Sequence, residues 1–155
     1  MKRVPWRLYL DTSVIGGCFD IEFAEDSRRV IDAILSGQAY LLFSEIVEAE
    51  LLNAPEPVRR LFADLPDNAR ERVVFTPEVE ALAREYVARG VVPDTWLGDC
   101  RHVAAATVAR ADAIVSWNFR HIVKLDKIKG YNQVNLMNGY GVLTIVSPRE
   151  VNFDE

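Results

Sequence analysis

Short aliphatic runs alternate with longer stretches of helical period along most of the chain. Arg7 to Asp11 (RLYLD), Ala39 to Phe43 (AYLLF), Arg72 to Phe75 (RVVF), Ala113 to Ser116 (AIVS) and Val142 to Val146 (VLTIV) read as five strands. Between them, Asp26 to Ser36 carries Val30, Ile31, Ile34 and Leu35 on one helical face and stops at Gly37. Ser44 caps a helix to about Leu52, ended before Pro55 and Pro57, and Val58 to Leu65 is helical again. Pro77 opens a helix to about Arg89, closed by Gly90. Thr95 to Ala111 is a further, Ala-rich helix, and His121 to Gly139 is helical in part. Strands that alternate with helices predict a parallel sheet between helical layers. Aliphatic strands agree, because parallel strands are buried on both faces. The expected fold is a three-layer α/β/α domain with a central, mainly parallel five-stranded sheet.

The 155 residues fit one domain over 1–155, with no internal repeat and no linker of biased composition. Half of them are apolar and 26% are charged, an ordinary globular balance. No apolar run approaches the roughly 20 residues of a membrane span, and Pro5, Arg7 and Asp11 interrupt any signal-peptide core. A cytoplasmic chain with no membrane partner is expected. Cys18 and Cys100 with His102 and His121 match no zinc-finger spacing. The net charge of −5 discourages a nucleic-acid partner only on average. Ile15 to Asp99 is strongly acidic, whereas Arg101 to Asn135 is net basic through Arg101, Arg110, Arg120, Lys124, Lys127 and Lys129.

In parallel sheets ligands bind at the carboxyl ends of the strands, where the topology switches. Asp11 closes the first strand there, although an Asp in that place also caps helices. Glu50 lies one helical turn beyond Ile46 and Val47, which places it on their apolar face and Glu45 and Glu48 on another, although so short a helix leaves the choice between Glu50 and Glu48 open. Asp99 sits on the stripe of Trp96, Val103 and Ala106, or serves as a first-turn acid favoured by the helix dipole. Asn118 follows the fourth strand as a turn former or an amide ligand, and Trp117 beside it reads as a packing residue. Carboxylates gathered at one edge repel one another unless cations neutralise them. Hard divalent ions such as Mg²⁺ or Mn²⁺ prefer such oxygen donors and suit phosphodiester hydrolysis.

The segments YLDTSVIGG (Tyr9 to Gly17), SEIVEAELL (Ser44 to Leu52) and LGDCRHVAAATVARADAIVSWNFRHI (Leu97 to Ile122) resemble the PIN-domain family. That family comprises metal-dependent ribonucleases, and the likeness is strongest to the toxins of VapBC-type toxin–antitoxin pairs. The resemblance implies cleavage of single-stranded RNA with Mg²⁺ or Mn²⁺ held by Asp11, Glu50 and Asp99. It implies Asn118 where the family often has a fourth acid, and Thr12, Ser13 and Ser116 as positioners of water or phosphate. It also implies RNA as substrate, a cognate antitoxin and a homodimer. The rival from another class is a PIN-like module that binds RNA or protein and does not cut. An aspartate-nucleophile phosphatase needs a second acid where this chain has Ser13, and no P-loop or dinucleotide glycine motif occurs.

Overall fold

The computed structural model describes residues 4–153. Five strands form one sheet: β1 Trp6–Leu10, β2 Ala39–Ser44, β3 Arg70–Val73, β4 Ala113–Val115 and β5 Thr144–Val146. Seven α-helices accompany them among the described residues: α1 Thr12–Gly17, α2 Ala24–Leu35, α3 Glu45–Leu51, α4 Glu56–Ala63, α5 Pro77–Ala88, α6 Leu97–Val108 and α7 Leu125–Met137. The spatial order is β3-β2-β1-β4-β5 and every pairing is parallel. The chain builds outward from β1 to β3, then returns to lay β4 on the other side of β1. The switch point therefore lies between β1 and β4.

The residues that close the sheet are its apolar ones. Tyr9, Leu10, Leu41, Leu42, Ile114 and Val115 are wholly buried, and helical residues such as Val30, Ile34, Leu82, Val103 and Ala106 pack into the same core. Leu35 departs from the expected apolar face of α2 and is exposed. One close approach fixes the packing beside the switch point. Trp117 is buried against Phe23, ring centroids 4.2 Å apart, and its indole N–H donates to Ser27 Oγ at 2.7 Å. A Cβ on Gly17 would stand 2.5 Å from that hydroxyl and 2.9 Å from the indole nitrogen, so only glycine fits there. Trp117 is thus a packing residue.

Several boundaries differ from the sequence reading, among them β5, which starts at Thr144, and α4, which covers Glu56–Ala63. The third strand runs over Arg70–Val73 rather than 72–75, in register with Leu41 to Ser44. It is an edge strand with exposed Glu71 and Arg72, so hydrophobicity marks it poorly. The apolar Val74 and Phe75 instead lead into Thr76, whose hydroxyl caps α5. The sixth helix begins at Leu97, because Asp94–Trp96 forms a separate 3₁₀ turn. It ends before Ala109, and Arg110 takes a left-handed φ of 57° that helical backbone excludes.

Candidate active site

The carboxyl ends of β1, β2 and β4 deliver polar groups to one place. Asp11 follows β1 directly and stands at the start of α1, yet its side chain makes no capping bond. It turns toward β4 instead. Ser116 Oγ donates to Asp11 Oδ2 at 2.6 Å, and Ser13 Oγ donates to Oδ1 at 2.5 Å. Those hydroxyls are themselves held, since Ser13 Oγ accepts from the Trp117 amide and Ser116 Oγ from the Asn118 amide. Asp11 is only 6% exposed. Burial pushes its carboxyl above the ordinary range, and the charge of His102 and the two hydroxyls offset that only in part.

The β2 end contributes Ser44 and Glu50. Ser44 Oγ accepts from the Ile46 amide and so caps α3, as its sequence position implies. Glu50 lies on α3 and is hydrogen-bonded to Nε2 of His102. Half-burial alone would raise the Glu50 carboxyl. The hydrogen bond and charge of His102, with the neighbouring Thr12 hydroxyl, outweigh it and hold the group low. Glu45 and Glu48 pair with Arg72 away from this point.

His102 completes the arrangement. It stands three residues beyond Asp99 on α6, on the same helical face. Its Nδ1 lies 2.8 Å from the Tyr9 hydroxyl, which lies 2.7 Å from Ser44 Oγ. Burial alone would lower the pKa of this ring. The Glu50 bond and the charges of Asp11, Glu50 and Asp99 outweigh that and raise it. A charged imidazole then donates at both nitrogens, while burial keeps the Tyr9 phenol neutral. The three acids singled out in the sequence thus come within electrostatic reach of one ring. Asp99 has a second histidine beside it, with His121 Nδ1 at 3.1 Å from its carboxylate. Among the described residues no lysine or arginine pairs with Asp11, Glu50 or Asp99, and Arg101 close by is held by both oxygens of Glu80 at 2.8 Å.

Asn118 stands apart from that group by its bonding. Its side-chain oxygen accepts from the Arg120 and His121 amides, so it shapes the loop after β4. Thr12 Oγ1 is buried with no hydrogen-bond partner within the described chain. Beside Glu50 opens a cavity of about 530 Å³, bounded by Ile46, Asn53, Phe75 and Arg101.

Sequence reasoning missed His102 and His121 as members of the site. His102 shares a motif with Asp99, but its role depends on Tyr9 and Glu50, which only the fold brings near. An earlier signal existed: a histidine three residues after an acid, in an otherwise apolar helix, needs polar company.

The donors are hard in kind, three carboxylates with serine and threonine hydroxyls, and the Thr12 hydroxyl lies beside the Glu50 carboxylate. They fit a divalent ion chemically. As placed, though, no three His, Cys, Asp or Glu side chains among the described residues stand close enough together to hold one. Glu50 and Asp99 are engaged with histidines instead.

No family model matches the sequence, and no curated protein matches it. Solved structures do resemble it in fold. VapBC2 from Rickettsia felis, crystallised bound to a DNA fragment from their promoter, superimposes with a TM-score of 0.60 at 14% identity, over 91% of this chain and 98% of the other. VapC20 from Mycobacterium tuberculosis, described as a sarcin-ricin loop cleaving toxin, gives 0.57 at 16% identity over 74% and 92%. FitAcB from Neisseria gonorrhoeae gives 0.57 at 14% identity over 93% and 99%. The chain therefore has the PIN-like α/β/α fold of VapC-type toxins. No helix among the described residues is long and apolar enough to cross a membrane.

Proposed function

We propose that the chain is a divalent-metal-dependent endoribonuclease, acting on single-stranded RNA as the toxin of a toxin–antitoxin pair. The observation that carries this reading is the buried Asp11 carboxylate at the switch point, facing acids delivered by α3 and α6. A carboxylate buried against its own preference calls for a cation; the charge of His102 offsets the burial only in part, and no lysine or arginine among the described residues pairs with it. Asp11, Glu50 and Asp99 are the residues that would hold Mg²⁺ or Mn²⁺. When bound, the ion supplies a water activated for attack on phosphorus and stabilises charge on the leaving oxygen. Ser13 and Ser116 fix the Asp11 carboxylate so that its charge faces the cleft. His102 steadies Glu50 and screens the acids from one another, and the Thr12 hydroxyl beside Glu50 positions water or phosphate. Asn118 orders the loop that carries Ser116 and His121.

The structural neighbours support this through their described properties, one as a sarcin-ricin loop cleaving toxin and one as VapBC2 bound to a DNA fragment from their promoter. A cognate antitoxin is accordingly expected, and a homodimer is proposed with it. A second reading has one observation in its favour: the acids are paired with histidines rather than gathered for an ion. It makes the chain a module that binds RNA without cutting. Incubation of a single-stranded RNA oligomer with the purified chain separates the two. The nuclease reading expects internal cleavage with Mn²⁺, none with chelator, and a loss of at least about a hundredfold in Glu50→Gln. Intact RNA under both conditions would overturn the nuclease reading, and RNA bound equally with and without chelator would support the silent module.

A further inference from the structure

An acidic protein that cuts a polyanion cannot rely on its net charge to hold the substrate. With a net charge of −5 and three carboxylates at the reacting point, phosphate is repelled where it must approach most closely. Affinity has to come from groups indifferent to that repulsion, and bases stacked on aromatic rings are such groups.

Among the aromatic side chains around the site, Trp96 carries the further contacts that suit this. Trp96 ends the 3₁₀ turn that leads into α6, three residues ahead of Asp99, and is 39% exposed. Its ring stacks on His121 with centroids 4.2 Å apart and planes 26° from parallel. His121 in turn touches Asp99. His121 thus links the indole, stacked on its face, to Asp99, which meets its Nδ1 edge. Arg120 holds its guanidinium 5.7 Å from the Trp96 ring centre and makes no ion pair among the described residues. An exposed cation–π contact of this kind is weaker than base–aromatic stacking, so an incoming base can displace it. The released guanidinium then meets the adjoining phosphate. The other two tryptophans are not so placed, since Trp117 is buried in packing and Trp6 lies on β1, at the opposite end from Asp11.

We propose that Trp96 and Arg120 form a nucleobase platform, on which a base of single-stranded RNA stacks beside the acid cluster. This rests on the nuclease reading for its biological sense, but it is tested without catalysis. Binding of a fluorescently labelled single-stranded RNA 12-mer of mixed sequence is followed by anisotropy in chelator, where nothing is cut. Trp96→Ala should weaken binding by about tenfold or more, whereas Trp96→Phe, which keeps a stacking face, should stay within about threefold of wild type. Arg120→Ala should weaken binding and reduce its salt dependence by about one phosphate contact. Asp99→Asn should bind at least as tightly as wild type, showing that the His121 contact can be altered without loss of the platform. Wild-type affinity in a folded Trp96→Ala variant would overturn the proposal. So would a wild-type chain that binds no RNA, which would leave Trp96 to a protein partner. A chain that binds RNA through Trp96 but never cuts it would overturn the nuclease reading alone.

Discussion

Asp11→Asn is expected to abolish Mn²⁺-stimulated RNA cleavage and, in the same sample freed of metal, to raise the melting temperature. The two effects have one cause. Burial raises the Asp11 pKa, so the folded site favours the neutral form and charging the carboxyl there costs stability. A folded-state pKa above the unfolded one makes the folded chain the better proton binder, and its stability falls as pH rises through that window. Asparagine removes the penalty while keeping the shape, and its amide can still bond the Ser13 and Ser116 hydroxyls. A gain of about 0.5–2 kcal/mol is expected, the range of single stabilising substitutions. For a chain of this length that is roughly 2–8 °C. The gain should be absent below the ordinary carboxylate pKa, grow as pH rises through the raised value, and then level off. Cleavage should fall by about two to three orders of magnitude, the scale of losing metal-assisted charge stabilisation. Thermal melts in chelator across pH, beside the cleavage assay, check both halves. A variant that melts below wild type at neutral pH would contradict the account of Asp11.

The second large effect is destabilisation by His102→Ala. The ring bridges Tyr9 and Glu50 and is the charge nearest three acids. Removing it strands a buried phenol with Ser44 as its remaining partner, opens a void and leaves the carboxylates facing one another. A cost of about 3 kcal/mol follows, discounted because Glu50 is half exposed. That is a fall of roughly 6–12 °C in melting temperature. His102→Gln separates charge from shape, since the amide can still bond but cannot carry a proton. The His102 pKa is raised, so its charge contributes stability that is complete below about 6.5 and is lost as pH rises through the folded value. The gap between wild type and His102→Gln should therefore narrow with increasing pH. A gap that widens would show the ring to be neutral in the fold.

Much of this architecture is legible in the sequence because hydrophobic period and burial coincide there. The β1, β2 and β4 segments are aliphatic runs buried on both faces, and they appear where the pattern puts them. The β3 strand is displaced because an edge strand is half solvent-facing, and its pairing with β2 outweighs side-chain hydrophobicity. Helical phase alone does not separate Glu50 from Glu48, which are about equally exposed; the family resemblance selects Glu50, and the structure pairs Glu45 and Glu48 with Arg72 while Glu50 meets His102. What period cannot convey is which distant groups neutralise each other. Glu50 and His102 lie far apart along the chain, and only the adjacency of β1, α3 and α6 brings them together. The spent oxygen of Asn118 is likewise invisible in sequence, since a turn former and an exposed ligand carry the same letter.

The proposed function requires the acids after β1 and on α3 and α6 to act as one cation site, against the grip of two histidines. Calorimetric titration of Mn²⁺ into the purified chain tests this most directly, with Asp11→Asn, Glu50→Gln and Asp99→Asn titrated alongside. Saturable binding by wild type, weakened at least about tenfold in each variant, is the predicted result. Equal binding by all four proteins, or none by wild type, would contradict it.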